Sequence, residues 1–243
     1  MLNQITTMRL PDGSEVAFVD WQDKNLFSTI DLLSGFTDAD IDAFTYVPGD
    51  TVPSTSNGIT PRTSSERDTN VSTPGSMAST EELLIYAIKP YYNEMRTLDG
   101  TPTVFNTASF QQGGQPIPAV GRLAVLFHAM VLRLIVSQKV EQEASLAYFN
   151  TGFGLVSGAM QDRVAATSLN NRGSAGLPTQ EAVRSYVIPV HIGGQEKYRL
   201  QLANDAGLTV DFGLSEATPP VADDQIVMLI TFHLDGLYKR PVS

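Results

Sequence analysis

Ile226-Val227-Met228-Leu229-Ile230-Thr231-Phe232-His233-Leu234, closed by Asp235-Gly236, is the stretch on which the fold turns. It is rich in β-branched and aromatic residues and ends in a turn signal, so it reads as the strongest strand of the chain. Working back from it, Lys197-Tyr198-Arg199-Leu200-Gln201-Leu202 alternates, with Tyr198, Leu200 and Leu202 on one face. Leu208 to Phe212 follows the turn Asn204-Asp205-Ala206-Gly207 as a further strand candidate. Val183 to Ile192 alternates around Val187, and Pro189 marks an edge or a bulge. Gly154-Leu155-Val156, Ala147-Tyr148-Phe149, Leu123 to Val136 and Thr103 to Thr107 are further candidates. Leu83 to Ile88 is an apolar run ended by Pro90; Ser79-x-x-Glu82 is a possible capping box, so a short helix competes with a strand there.

These strands, about eight in all, are antiparallel in character and separated by uneven polar connections such as 111–121 and 161–180. Such spacing predicts an all-β chain with a jelly-roll β-sandwich, a single jelly roll over residues 81–243. Regular βα alternation is missing, which argues against Rossmann and TIM architectures.

Residues 48–80 are dominated by Ser, Thr, Pro, Gly, Asn and Asp and contain almost no large apolar side chains. A segment of that composition buries too little surface to offset its ordering entropy. It reads as an extended arm or linker, ordered mainly by neighbouring subunits. Residues 1–47 read as a separate extension. Asp12-Gly13 predicts a hairpin between Met8 and Val19. Thr37 is a helix cap followed by Asp38 and Asp40, so a short helix is expected over 36–44, anchored by Phe36, Ile41 and Phe44.

Sixteen Lys and Arg face 26 Asp and Glu, a formal charge of −10. The first 80 residues carry −7 of it, from eleven acids and four bases. An acidic chain is a poor general binder of nucleic acid. The absence of cysteine excludes disulfides, thiolate metal sites and a cysteine nucleophile. The N-terminus shows no basic region followed by an apolar core, and Leu123–Val136 is too short for a membrane-spanning helix.

Motifs that carry chemistry fail on inspection. Asp38-x-Asp40-x-Asp42 opens like a calcium loop, but Ala43 and Gly49 stand where Gly and Glu are required. Gly152-Phe153-Gly154-Leu155-Val156-Ser157-Gly158 misses the dinucleotide spacing by one and lies among strands. His128, His191 and His233 are unpaired at i+2 or i+4 and read as ordinary strand residues. Glu81-Glu82 and Asp223-Asp224 are adjacent, so on a strand each pair splits between opposite faces. Asn70-Val71-Ser72 is a formal glycosylation sequon. The expectation is no catalytic residue, no metal ligand and no cofactor site, hence not an enzyme.

Two stretches carry a resemblance. Val187-Ile188-Pro189-Val190-His191-Ile192-Gly193-Gly194-Gln195-Glu196-Lys197-Tyr198-Arg199-Leu200-Gln201-Leu202 is the first. The ending Ile230-Thr231-Phe232-His233-Leu234-Asp235-Gly236-Leu237-Tyr238-Lys239-Arg240-Pro241-Val242 is the second. Together they resemble the jelly-roll capsid proteins of tailless icosahedral bacteriophages. The resemblance implies a major capsid protein of a virion, self-assembling through homo-oligomeric capsomers, often trimers, into an icosahedral shell. Its partners would be copies of itself and other capsid proteins. The acidic charge, −10 overall, implies no direct nucleic-acid binding, so that an internal membrane or a separate basic protein lies between shell and genome, or the N-terminal arm lies within the shell. Other phage parts (spike, tail or decoration protein) and a carbohydrate-binding β-sandwich are the alternatives. Trp21, the sole tryptophan, falls outside the expected β block.

Overall fold

The structure is a computed structural model, and it describes residues 7–9, 13, 15–17, 21–33, 35–55, 61–97, 102–103, 111–112, 115–116, 129–149, 162–165, 168–170, 186, 188–210 and 226–239. The described chain is all-β, built on two antiparallel sheets. Eight strands carry the architecture: β1 (Trp21–Leu33), β2 (Asp40–Ala43), β3 (Glu82–Thr97), β4 (Val131–Val136), β5 (Lys139–Ser145), β6 (Val190–Ile192), β7 (Tyr198–Ala203) and β8 (Ile226–Lys239).

One sheet has the order β1-β8-β3-β6, with Pro102–Thr103 added to β3; the other has the order β2-β7-β4-β5. The pairing is nested: β1 with β8, β2 with β7, β3 with β6, β4 with β5. Two further pairings, β8 with β3 and β7 with β4, join these ribbons into the sheets. The innermost ribbon closes through the two-residue turn Ser137-Gln138, both in the left-handed region (φ +46° and +74°), which suits the right-handed twist of its strands.

The sheets face each other across one core. Ile30 and Leu32 of β1, Ile85 of β3, and Met228, Ile230 and Phe232 of β8 meet Leu132 and Leu134 of β4 and Leu200 and Leu202 of β7. The Ile226 side chain lies outside the described residues. The opposite face of β8 is apolar at its two ends. Val227 and Leu229 pack with Leu33 at one end, and Leu237 packs with Trp21 and Leu84 at the other. That double coverage is the physical reason for the unbroken apolar run.

The division at residue 80 is corrected. The sandwich begins at Trp21, because β1 runs beside β8 over its full length and β2 beside β7. Leu26, Ser28, Ile30 and Leu32 alternate into the interior, where Ser28 Oγ accepts the Phe44 N–H at 2.9 Å. The helix expected over 36–44 is instead β2. The open edge of β7 pairs with Asp40–Ala43, a tertiary partner that overrides the local cap signal. Phe44 then ends the strand, fully buried at φ +66°. The hairpin around Asp12-Gly13 pairs Thr7–Arg9 with Glu15–Ala17, Gly13 lying at φ +88°.

Residues 48–80 are corrected as well. Those described, 48–55 and 61–80, lie within the connection from β2 to β3 and strap the free edge of β1. Asp31 N donates to Pro53 O (2.9 Å), Thr55 N to Asp31 O (3.1 Å), Thr29 N to Asp68 O (2.8 Å) and Asn70 N to Phe27 O (3.3 Å). The small polar side chains build little core, but the backbone satisfies an edge that would otherwise stand open. Val52, Val71 and Met77 are the few apolar anchors, each buried.

Smaller expectations shift too. Pro90 lies inside β3 rather than ending it; between Ile85, paired with Val190, and Met95, paired with Thr103, no described strand lies on the side of β3 away from β8, where a missing N–H is tolerated. Glu82 starts β3, so the capping-box helix does not form. Leu146–Tyr148 is a 3-10 turn capped by Ser145, and Val210 makes only a bridge to Phe36.

Candidate functional site

The outer face of the β1-β8-β3 sheet carries the most organised set of polar side chains. Its geometry follows from register: His233 on the central strand is paired with Phe27 on one side and Lys89 on the other, and Asp235 with Asn25 and Ala87. Lys89 Nζ contacts Asp235 Oδ2, and Asn25 Nδ2 donates to Asp235 Oδ1 at 2.7 Å. Asn25 Oδ1 lies 2.9 Å from His233 Nδ1. The amide is oriented by the carboxylate, which accepts only from its NH2 side; the imidazole therefore donates from Nδ1 and carries its lone pair on Nε2. The rings of Phe27 (5.8 Å, tilted) and Tyr91 (4.7 Å, edge-on) flank it. Burial pushes His233 below its ordinary pKa; Asp235 opposes this and Lys89 adds to it. The imidazole is neutral near pH 7.

Farther along the same face, Glu82 accepts from Lys239 Nζ at 2.6 Å and lies 3.1 Å from His191 Nε2. Burial raises the Glu82 pKa, but the hydrogen bonds from Lys239 and His191 outweigh it and hold the carboxyl below its usual range. Trp21, 8% exposed, covers Leu84 nearby, and its Nε1 has no partner among the described residues.

The strap has its own charged centre. Arg62 binds Asp31 through Nε (2.6 Å) and Nη2 (3.0 Å) and reaches Asp68 through Nη1 (2.7 Å). The guanidinium pKa is raised: burial lowers it, and the two carboxylates overcome that. Tyr46 Oη donates to Thr29 O at 2.7 Å; burial is the main cause pushing its pKa up to about 12. The outer face of the second sheet carries paired charges, Arg133 with Glu143 and Asp205, and Arg199 with Asp42.

The sequence candidates are dispersed. Asp38 precedes β2, Asp40 begins it, and Asp42 binds Arg199 at 3.1 Å. Among the described residues no three His, Asp or Glu side chains converge to hold a metal. Asn70, the sequon residue, is structural: its Oδ1 accepts the Phe27 N–H at 2.8 Å and its Nδ2 donates to Asn25 O at 2.7 Å. Glu82 is tied to His191 and Lys239, whereas Glu81 lies near the Tyr198 phenol. His128, Gly152 to Gly158 and Asp223-Asp224 lie outside the described residues. Asn25, Lys89 and Arg62 carry no local signal because each is an isolated charged or amide residue in its own segment, and Asp235, expected with Gly236 to form the turn that closes the strand, instead lies inside β8, which runs on to Lys239. The one available signal was Asp31 placed between Ile30 and Leu32, a charge inside an apolar run.

Compared with protein-family models, with curated proteins and with solved structures, the chain matches none.

Proposed function

We propose that this chain is a virion structural protein, a major capsid protein whose copies assemble into an icosahedral shell. The observation that carries the reading is the nested pairing of β1 with β8, β2 with β7, β3 with β6 and β4 with β5 in two facing sheets. A long antiparallel ribbon rolled on itself in this way is the arrangement of a single jelly roll, an architecture used by capsid subunits and also by lectins and cupins. Fold alone does not select among these. The two stretches that resemble phage capsid proteins, which support the capsid reading, include one turn and one strand bulge where glycine is required. Gly194 abuts the Ser79 carbonyl, and Gly236 sits at a bulge against the Leu84 carbonyl, so neither has room for a Cβ. The role is architectural, without catalysis, and the partners are further copies of the chain.

A carbohydrate-binding sandwich fits less well. Sugar sites favour exposed aromatic rings, yet the single Trp is buried on the sheet. The deciding experiment is size-exclusion chromatography of the purified chain followed by negative-stain microscopy. Capsomers or closed shells are expected. A monodisperse small species that binds a glycan would overturn the proposal.

A further inference from the structure

The geometry points to a covalent cross-link: an isopeptide bond between Lys89 Nζ and Asn25 Cγ, joining β3 to β1 across β8. One carboxylate, Asp235, holds both reactants. The amine contacts its Oδ2, and the carboxamide NH2 donates to its Oδ1 at 2.7 Å. The carbonyl oxygen of the same carboxamide faces the His233 Nδ1 donor at 2.9 Å. The proton acceptor thus touches both the nucleophile and the leaving amide nitrogen, and the oxyanion donor touches the carboxamide oxygen, on three neighbouring strands held by sheet register. Lys89 and Asp235 are 20% and 27% exposed, the rings of Phe27 and Tyr91 flank His233, and Asn25 itself is exposed, so the ordering of the group rests on these contacts and on register rather than on exclusion of water.

The step balances without an added reagent. Asp235 takes a proton from the Lys89 ammonium, and the free amine attacks Asn25 Cγ. The Nζ–Cγ bond forms while His233 Nδ1–H stabilises the oxygen of the tetrahedral intermediate. Asp235 delivers its proton to Nδ2 and accepts one from Nζ. The Cγ–Nδ2 bond breaks, and ammonia leaves, carrying away the last proton as ammonium. One positive charge and one ammonia are lost, and the carboxylate is regenerated. In a chain without cysteine, such a bond ties the first long strand of the sandwich to its sheet.

The test is the intact mass of the purified full chain, followed over days at neutral pH, with tandem mass spectrometry of its proteolytic fragments. A mass lighter by one ammonia is expected, together with a branched peptide joining the segments around residues 25 and 89. The denatured protein should also migrate anomalously in a denaturing gel. Lys89→Arg keeps a cation against Asp235, and Asp235→Ala keeps both reactants; each should return the full sequence mass. His233→Phe should slow the appearance of the branched peptide. A wild-type chain that retains its full mass overturns the proposal. Loss of ammonia without the branched peptide, a cyclised asparagine elsewhere, overturns it equally.

Discussion

The Arg62 guanidinium grips Asp31 through paired hydrogen bonds of 2.6 and 3.0 Å, and Asp31 is only 2% exposed. An acid on the outward face of the edge strand β1 is thereby neutralised by the segment that covers that edge. Breaking one side of a buried pair strands the other charge, at a cost of about 3–5 kcal/mol. Arg62→Ala should lose stability of that order in urea melts. Arg67→Ala, an exposed neighbour, should stay within about 0.5 kcal/mol of the parent.

Acid should loosen the strap. Burial raises the Asp68 pKa, but hydrogen bonds from Ser65 and the Arg62 guanidinium outweigh it, so the folded value lies below the unfolded one. Glu82 behaves likewise. Stability from a depressed carboxyl is complete above its unfolded pKa and is lost as pH falls through the folded value. Unfolding free energy should hold from pH 7 to about 5 and decline below about 4. Asp68→Asn should flatten that decline, as read by denaturant titrations across pH.

Tyr46 acts at the other end of the scale. Its folded pKa, about 12, exceeds the unfolded value. Its contribution is therefore complete below about pH 10 and fades as pH rises toward the folded pKa. Tyr46→Phe should shrink the alkaline limb, to which the phenols of Tyr198 and Tyr86, also raised by burial, contribute, and cost about 1 kcal/mol at pH 7 through the hydrogen bond to Thr29 O.

Gly236→Ala should be severe. An added Cβ would overlap the Leu84 carbonyl oxygen, a backbone group that cannot swing aside. Overpacking costs about 1–3 kcal/mol or more. Gly207→Asn is the control: φ there is +59°, nothing lies within 4 Å, and Asn tolerates the left-handed region. Thermal melts should show a large drop for the first and little change for the second.

Deleting residues 1–80 should abolish folding. The truncation removes β1 and β2, exposing the core faces of β8 and β7. Circular dichroism and limited proteolysis should show a disordered or aggregated chain. A folded β domain from that fragment would contradict the pairing.

The purified chain should not retain duplex DNA at about 0.15 M salt, because binding that releases counterions depends on clustered Lys and Arg. The formal charge is −10, and Arg62, Arg133 and Arg199 are engaged by carboxylates. A filter-binding assay measures this. Micromolar, salt-sensitive retention would reveal a basic face.

Local patterning was enough to establish an all-β chain. Alternation at Tyr198, Leu200 and Leu202 and the apolar run at 226–234 are written into neighbouring residues, and side chains on a strand repeat every two positions. Asp12-Gly13 marked its turn for the same reason. The segment 21–33 was not legible. Its polar outward residues, Asp23, Asn25, Thr29 and Asp31, mask the inward alternation until their partners on β8, β3 and the strap are in place. Nor was the strap, since hydrogen bonds made by backbone leave no trace in side-chain composition.

The sequence by itself determined which segments extend and where several turns fall, because those depend on backbone preferences within a few residues. Tertiary structure alone decided which strands are neighbours and which side chains meet. Asn25 and Asp235 are 210 positions apart, and Arg62 and Asp31 are 31 apart. Both contacts exist only because strand register and loop closure bring distant segments to one sheet face. The free energy of that closure comes from the shared core, so no local spacing rule can encode it.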